Sequence, residues 1–231
     1  MKMRLITLFL ILWVSSGFVA DSAVWERINS GINEPDILTI FVHPSNEDIL
    51  FAGTSKALYR SKNGGRDYHR VLHPSGELKA VNDIYIAENG PEVVYVATDS
   101  GLYVSKDIGD HWERMYYSSK LESRRCISVI RFDDSVYLGT EDGIFIKKDK
   151  ETEWQTINGR FSRKSVYHSA QDKRFIYFAT GEKLYSFDKQ VRKVQQIFSL
   201  GRSKLLERDE FSETSSENFE NESIRTVQVS N

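Results

Sequence analysis

The chain has 231 residues, of which 12% are aromatic and only 4 are prolines, so its composition is that of a globular protein rather than a disordered one. Its formal net charge is −2 and its isoelectric point is about 6.2. This balance argues against a nucleic acid partner, because nucleic-acid-binding domains are usually basic.

The first twenty residues are predicted to be a secretion signal. Lys2 and Arg4 form a short basic region, and the apolar segment 5–14 that follows is too short to span a bilayer. Small residues at Ser15, Gly17 and Ala20 offer a cleavage site. We therefore expect an exported protein, periplasmic or extracellular, with no stable membrane insertion once residues 1–20 are removed. An uncleaved membrane anchor is the alternative.

A short motif recurs four times along the rest of the chain. Each copy has a small residue, a threonine, a turn and an apolar-aromatic pair, and the copies read AGTSKALY, VATDSGLY, LGTEDGIF and FATGEKLY. Their threonines, Thr54, Thr98, Thr140 and Thr180, are separated by 44, 42 and 40 residues. A period of about 42 residues built from short strands is typical of a β-propeller with one blade per repeat.

Each repeat divides into four strand-like segments, A to D, counted outward from the propeller axis. β-Branched and aromatic residues fill them, and Gly, Asn, Asp and Pro separate them. The predicted strands are 37–42, 49–54, 57–61 and 68–72, then 82–87, 92–98, 101–105 and 111–117, then 126–132, 135–140, 143–147 and 153–157, then 165–170, 175–180, 183–187 and 193–198. The predicted fold is all-β, a propeller of about four full blades of four antiparallel strands across residues 24–198.

Single residues within the strands support this arrangement. Small residues at Gly53, Ala97, Gly139 and Ala179 fit the crowded inner part of a propeller. Cys126 is the one cysteine and begins a strand-like run, so we expect a small buried apolar side chain rather than a nucleophile.

The two ends of the repeat region predict unmatched strands. Residues 24–28 match strand D, since Trp25, Tyr68, Trp112 and Trp154 are 43, 44 and 42 residues apart. Residues 201–222 are predicted to be an acidic flexible insertion, and residues 223–231 resemble strand A of a further blade. The unmatched strands leave two interpretations of the ring. It is incomplete, because the chain is a truncated piece of a longer protein or because it self-associates or is complemented by another chain. The alternative is a small closed ring of four blades.

The turns between strands C and D carry a second motif. Residues 61–68 and 105–112 share the pattern Ser-x-Asp/Asn-x-Gly-x-x-aromatic, a third copy keeps Asp149 and Trp154, and a fourth keeps Ser186 and Asp188. The pattern resembles the Asp-box of BNR-repeat propellers, the group that includes sialidases, the sortilin-like domains and the photosystem II stability and assembly factors.

We interpret this box as a folding device. Asp or Asn accepts hydrogen bonds from turn amides, Gly takes a positive φ, Ser ties the strand end, and the aromatic ring packs over the hairpin. The residues assigned to this structural role are Ser61, Asn63, Gly65, Tyr68, Ser105, Asp107, Gly109, Trp112, Asp149 and Trp154. A calcium or ligand site at the box is the alternative.

Catalytic, metal and cofactor sites are not predicted. The Phe/Tyr-Arg-Ile-Pro motif of sialidases is absent, the five histidines are scattered, and there is no phosphate loop or nucleophile elbow. We therefore expect a non-enzymatic protein without cofactor or metal. A sialidase-like or other carbohydrate-active enzyme is the alternative function.

The resemblance implies a binding face opposite the box turns, made by the D-to-A and B-to-C loops. These loops hold Arg124, Arg125, Arg160 and Arg163, whose guanidinium groups would grip the carboxylates or phosphates of a partner. The predicted function is an exported, non-catalytic binding or assembly scaffold for a protein or another anionic partner. An ordinary solvated rim is the alternative interpretation of these arginines.

Overall fold

The computed structural model describes residues 30–77, 79–86, 92–157, 163–188, 190 and 193–199. These residues form sixteen strands and one short helix, arranged as four separate four-stranded sheets. The predicted leader at 1–20, the predicted strand at 24–28, the acidic segment 201–222 and the predicted strand at 223–231 lie outside the described residues.

Each sheet is one blade and uses consecutive strands of the chain. Blade 1 contains β1 (Thr39–Val42), β2 (Leu50–Gly53), β3 (Leu58–Ser61) and β4 (His69–Leu72). Blade 2 contains β5 (Val81–Ile86), β6 (Val94–Thr98), β7 (Gly101–Ser105) and β8 (Glu113–Tyr116). A one-turn helix, α1 (Leu121–Arg124), connects it to blade 3.

Blade 3 contains β9 (Cys126–Phe132), β10 (Ser135–Thr140), β11 (Gly143–Lys148) and β12 (Gln155–Thr156). Blade 4 contains β13 (Val166–Gln171), β14 (Phe175–Thr180), β15 (Lys183–Asp188) and β16 (Lys193–Ser199). In every blade each strand pairs antiparallel with the next one along the chain. The predicted all-β fold of four antiparallel blades is confirmed.

The inner strands hold the blades together side by side. β1 packs against β5, β5 against β9, and β9 against β13. No comparable packing joins β13 back to β1 within the described residues. Each of the three junctions encloses an apolar core that takes residues from both blades, because a four-stranded sheet has to bury its apolar face against another element.

The predicted crowding of the inner region is also confirmed. A Cβ atom on Gly53 would lie 2.5 Å from Cγ1 of Val81 in the next blade, and one on Gly139 would lie 3.0 Å from Cγ1 of Val166. Cys126 is fully buried in the junction between blades 2 and 3, and burial raises the pKa of its thiol. It is therefore the small apolar side chain that the sequence indicates.

The strand boundaries differ in detail from the prediction. Seven of the sixteen predicted strands are one to three residues too long, for example 37–42 against Thr39–Val42, and the predicted strand 153–157 is reduced to Gln155–Thr156. Helix α1 stands where the sequence predicts a loop, because a single turn is too short to show helical periodicity. None of the helices in the described part of the chain is long and apolar enough to cross a membrane.

The repeated threonine has one role in all four blades. Its hydroxyl donates to the carbonyl oxygen three residues later, across the turn between the second and third strands. The O···O distances are 3.1 Å for Thr54–Ala57, 2.8 Å for Thr98–Gly101, 3.0 Å for Thr140–Gly143 and 3.1 Å for Thr180–Lys183. The same hydroxyls accept amide hydrogens of the turn, so the threonine closes the hairpin from inside the fold.

We expect Thr98→Val to destabilise the chain by about 1–3 kcal/mol, because the buried Ser100 amide loses its acceptor without a change in side-chain volume. Urea unfolding followed by circular dichroism measures this difference. Thr98→Ser keeps the hydroxyl and is the matched control. Equal stability of the Val and wild-type proteins would contradict the role assigned to the hydroxyl.

Candidate functional site

The sequence points to two regions, the box turns and the arginine-bearing loops. In the box turn of blade 2, Ser105 donates its hydroxyl to Asp107 Oδ1 (2.8 Å) and accepts the Gly109 amide (2.7 Å). Asp107 Oδ1 in turn accepts the amides of Asp110 (3.1 Å) and His111 (2.8 Å). Gly109 has a φ of +88°, which a residue with a side chain adopts only with strain.

The box turn of blade 1 repeats this network with an amide in place of the carboxylate. Ser61 donates to Asn63 Oδ1 (2.9 Å) and accepts the Gly65 amide (2.9 Å), while Asn63 Oδ1 accepts the Asp67 amide (3.0 Å). Tyr68, the aromatic residue of this copy, is buried. In both copies the side chains are therefore occupied by hydrogen bonds within the turn.

The aromatic residues of the later copies pack at blade junctions. Trp112 packs on the core between blades 1 and 2, and its indole nitrogen donates to the Gly109 carbonyl (3.2 Å). Trp154 packs between blades 2 and 3 and donates to the carbonyl of Met115 in the preceding blade (3.2 Å). Asp149, in the degenerate third copy, instead binds the guanidinium of Arg131 through both oxygens (2.9 and 2.5 Å).

The box turns show little that points to a metal. Among the described residues, no group of three or more His, Cys, Asp or Glu side chains is placed to hold an ion. His111 and Asp107 form an exposed pair with Nδ1 and Oδ2 2.6 Å apart. The hydrogen bond that the Asp107 carboxylate accepts from the imidazole raises the pKa of His111. One carboxylate and one imidazole on the surface do not make a metal site.

A cleft of about 470 Å³ opens on the other end of blade 2, at the face of the D-to-A and B-to-C loops. Three separate segments line it: the β4–β5 loop, the β6–β7 turn and the stretch from β8 to α1. The lining residues are Ser75, Gly76, Glu77, Asp99, Ser100, Arg114, Tyr117, Leu121 and Arg124. We refer to it below as the blade 2 cleft.

Two arginines meet at one tyrosine in this cleft. The guanidinium carbon of Arg114 lies 4.4 Å from the centroid of the Tyr117 ring, and that of Arg124 lies 5.7 Å from it. Arg124 also donates to the Tyr117 hydroxyl (3.2 Å). Tyr117 and Leu121 are exposed. Neither arginine forms an ion pair among the described residues, so both positive charges remain open to a ligand.

The floor of the cleft is a network of hydroxyl groups. The Tyr103 hydroxyl is 3.1 Å from Ser75 Oγ and 3.4 Å from Ser100 Oγ, and Ser75 Oγ accepts from Arg114 (3.2 Å). Burial alone would raise the pKa of Tyr103, but the hydrogen bonds to Ser100 and Ser75 and the charge of Arg114 bring the pKa below its ordinary value. The contact with Ser75 holds the Arg114 guanidinium in position over the Tyr117 ring.

Two carboxylates also line the cleft. Asp99 is buried and accepts from Asn82 (2.9 Å), and Arg125 Nε lies 3.5 Å from it. Glu77 forms no ion pair within the described part of the chain and is exposed. The lining of the cleft therefore combines two open guanidinium groups, one open carboxylate and the exposed side chains of Tyr117 and Leu121.

Three of the four predicted partner-binding arginines lie in the described residues, and their surroundings differ. Arg124 lines the blade 2 cleft, whereas Arg125 is engaged by Asp99 and by Glu141 (2.7 Å). Arg163 is exposed, and its amide donates to the Asp142 carbonyl (3.2 Å) beside blade 3. Arg160 lies outside the described residues.

Sequence reasoning missed Arg114 and Tyr117. Both belong to the segment HWERMYY, where they are spaced three residues apart near the end of a strand. Charged and aromatic residues are common at such positions, and nothing local indicates that α1 folds back to bring Arg124 against the same ring.

Comparisons with known proteins give a fold but no family. No family model matches the sequence, and neither does any curated protein. Among solved structures, the match to an ancestral GH74 enzyme covers 73% of this chain and 26% of the enzyme's chain, with 20% sequence identity and a TM-score of 0.58. The GH74 xyloglucanase from Xanthomonas campestris matches 73% of this chain and 32% of its own, with 16% identity and a TM-score of 0.58.

A third solved structure, YCF48 bound to D1 peptide, matches 69% of this chain and 52% of its own, with 12% identity and a TM-score of 0.53. All three are β-propeller proteins. This chain has the β-propeller fold. It spans between a quarter and about half of the length of these proteins.

Proposed function

We propose that this chain is an exported, non-catalytic propeller that binds a protein partner through the blade 2 cleft. The observation that carries the proposal is the pair Arg114 and Arg124, two open positive charges stacked on one exposed tyrosine. Arginine held in this way has little further freedom to lose on binding, so it favours bidentate binding of a carboxylate.

The other walls favour a peptide over a simple anion. Leu121 and Tyr117 offer apolar contact, the Ser75 and Ser100 hydroxyls offer hydrogen bonds, and Glu77 offers a negative charge in the same cleft. A peptide that has an acidic side chain or a free carboxyl end for the arginines, and a basic or N–H group for Glu77, satisfies all of these groups together. One of the solved propellers, YCF48, has a bound peptide, which supports the proposal at the level of the fold.

Selection of peptides from a random library on the immobilised chain tests the proposal. We expect enrichment of peptides with Asp, Glu or a free C-terminal carboxylate, and at least a tenfold weaker affinity for Arg114→Ser/Arg124→Ser in isothermal titration. Lys62→Ser/Arg66→Ser removes the same charge from the exposed box turn of blade 1 and should bind as the wild type does.

Two results would count against the proposal. Enriched peptides without a carboxylate preference would contradict the role of the arginines. Equal loss of affinity in Lys62→Ser/Arg66→Ser would show that net charge matters rather than the cleft.

A carbohydrate-active enzyme is the second candidate, favoured by one observation. Glu77 and Asp99 are two carboxylates that line the same cleft, and most glycoside hydrolases use a pair of carboxylates. Against it, Asp99 is engaged by Asn82 and Arg125. Hydrolysis of a fluorogenic glycoside that is lost in Glu77→Gln would favour the enzyme and overturn the non-catalytic proposal.

A further inference from the structure

The three junctions between blades are built in the same way. At the first, Phe51 and Leu58 of blade 1 pack with Ile84, Ile86 and Val96 of blade 2. The second and third junctions repeat this arrangement between the following blades. Each blade thus carries one apolar face toward the preceding blade and another toward the following one.

The face of blade 1 that points away from blade 2 has the residues of a junction, but no blade formed by the described residues covers it. On β1, Ile40 and Val42 pair with Ala52 and Leu50, as Ile84 and Ile86 on β5 pair with Val96 and Val94. Ile84 and Ile86 are 3% and 2% exposed, whereas Ile40 and Val42 are 60% and 49% exposed.

Part of this face is covered by the segment that precedes β1. Ile32 packs on the outer apolar cluster of blade 1, Glu34 accepts from the Tyr59 hydroxyl (2.5 Å), and the Tyr68 amide donates to the Ser30 carbonyl (2.8 Å). The inner strand is what remains open. We call the two exposed side chains on this strand, Ile40 and Val42, the blade 1 free face.

Blade 4 has the complementary free face. Leu184 pairs with Phe198 and with Ala179, as Leu102 in blade 2 pairs with Tyr116 and with Ala97. Tyr116 is 7% exposed because blade 3 covers it, whereas Phe198 is 47% exposed. Leu184 and Phe198, together with Tyr177 on the same side of β14, define the blade 4 free face.

We propose that two copies of this chain associate head to tail, so that the blade 4 free face of one copy covers the blade 1 free face of the other. The contact joins a face directed toward the following blade to a face directed toward the preceding blade. The same combination is found at all three internal junctions. If blade 1 of one copy packed against blade 1 of the other, two faces of the same type, each directed toward a preceding blade, would meet. The described blades provide no example of such a junction. Two such contacts related by a twofold axis close a ring of eight blades and leave no junction face exposed.

Sedimentation equilibrium of the chain without its predicted leader tests this association. We expect twice the monomer mass for the wild type, and at least a hundredfold weaker association for Ile40→Glu and for Phe198→Lys. Both positions are exposed within one copy, so each variant should fold, which circular dichroism verifies. Ile40→Ser is a milder variant in case the glutamate perturbs β1.

An equimolar mixture of Ile40→Glu and Phe198→Lys decides the arrangement. In a head-to-tail pair of the two variants, one contact places the new glutamate opposite the new lysine and the other contact is entirely wild type, so the mixture should recover dimers. Failure of the mixture to recover them would overturn the head-to-tail arrangement. A wild-type monomer would show that these faces are covered by other parts of the chain or by a different partner. Dimers that persist in both variants would place the interface elsewhere. Either result overturns the proposal.

Discussion

The free energy of unfolding should fall by about 2–3 kcal/mol from about pH 5 to about pH 8, and Asp83→Asn should remove most of this dependence. Asp83 is a partly buried residue whose carboxyl lies between the inner strands β5 and β9. One oxygen accepts the amide of Ile84 (2.9 Å) and the other accepts the amide of Val129 in the next blade (2.8 Å). Desolvation outweighs these hydrogen bonds and raises the pKa of Asp83 to about 7.

The direction of the effect follows from proton binding. Between the ordinary pKa of 3.8 and the folded value of about 7, the folded chain holds a proton on Asp83 that the unfolded chain has released. Stability therefore decreases as pH rises through this range and levels off above it. His168, whose pKa is lowered by burial, contributes in the opposite direction, so the difference between wild type and Asp83→Asn isolates the carboxyl.

Urea unfolding at a series of pH values measures this difference. Asp83→Asn should be less stable than the wild type by about 1–3 kcal/mol near pH 5, because its single amide oxygen cannot accept both backbone amides. The two proteins should approach each other near pH 8. A wild-type profile that is flat, or that the variant reproduces, would contradict a buried carboxyl of raised pKa.

The period of the repeat is enough to predict the fold. Four threonines at nearly equal spacing indicate four blades, and each threonine closes the same turn, so the spacing has a local physical cause. The box turns are equally local, since Ser105, Asp107 and Gly109 bond within five residues of one another. Features of this kind can be predicted from sequence because the chain segment that contains the pattern also contains the contacts.

The candidate site is harder to predict because its contacts join distant segments. In the sequence Arg125 looks equivalent to Arg124, but Asp99 and Glu141 in two different turns neutralise it. Arg114 is held by Ser75, thirty-nine residues earlier. Asp83 gives no signal at all, because its burial depends on the neighbouring blade. Charge and burial at a junction are properties of the assembled blades, and no local pattern records them.

Trp154→Ala should destabilise the chain by about 3 kcal/mol, the second large effect that the structure predicts. The ring meets Tyr116 edge to face, with centroids 5.2 Å apart, and packs in the core between blades 2 and 3. Its indole nitrogen donates to the Met115 carbonyl across the blade boundary (3.2 Å). Truncation therefore removes apolar packing, an aromatic pair and a hydrogen bond between blades at once.

Circular dichroism in urea measures this change without relying on tryptophan fluorescence. Trp154→Phe keeps an aromatic ring and most of the packing but removes the indole N–H, so it should lose only about 1 kcal/mol. The ratio of the two losses separates packing from hydrogen bonding at the junction. If Ala and Phe cost the same, the hydrogen bond to Met115 would be the main contribution, and if neither changes stability, the ring does not hold blade 3 against blade 2. Because β12 has only two strand residues, few ladder hydrogen bonds hold the outer edge of blade 3, and the contacts of Trp154 add to them.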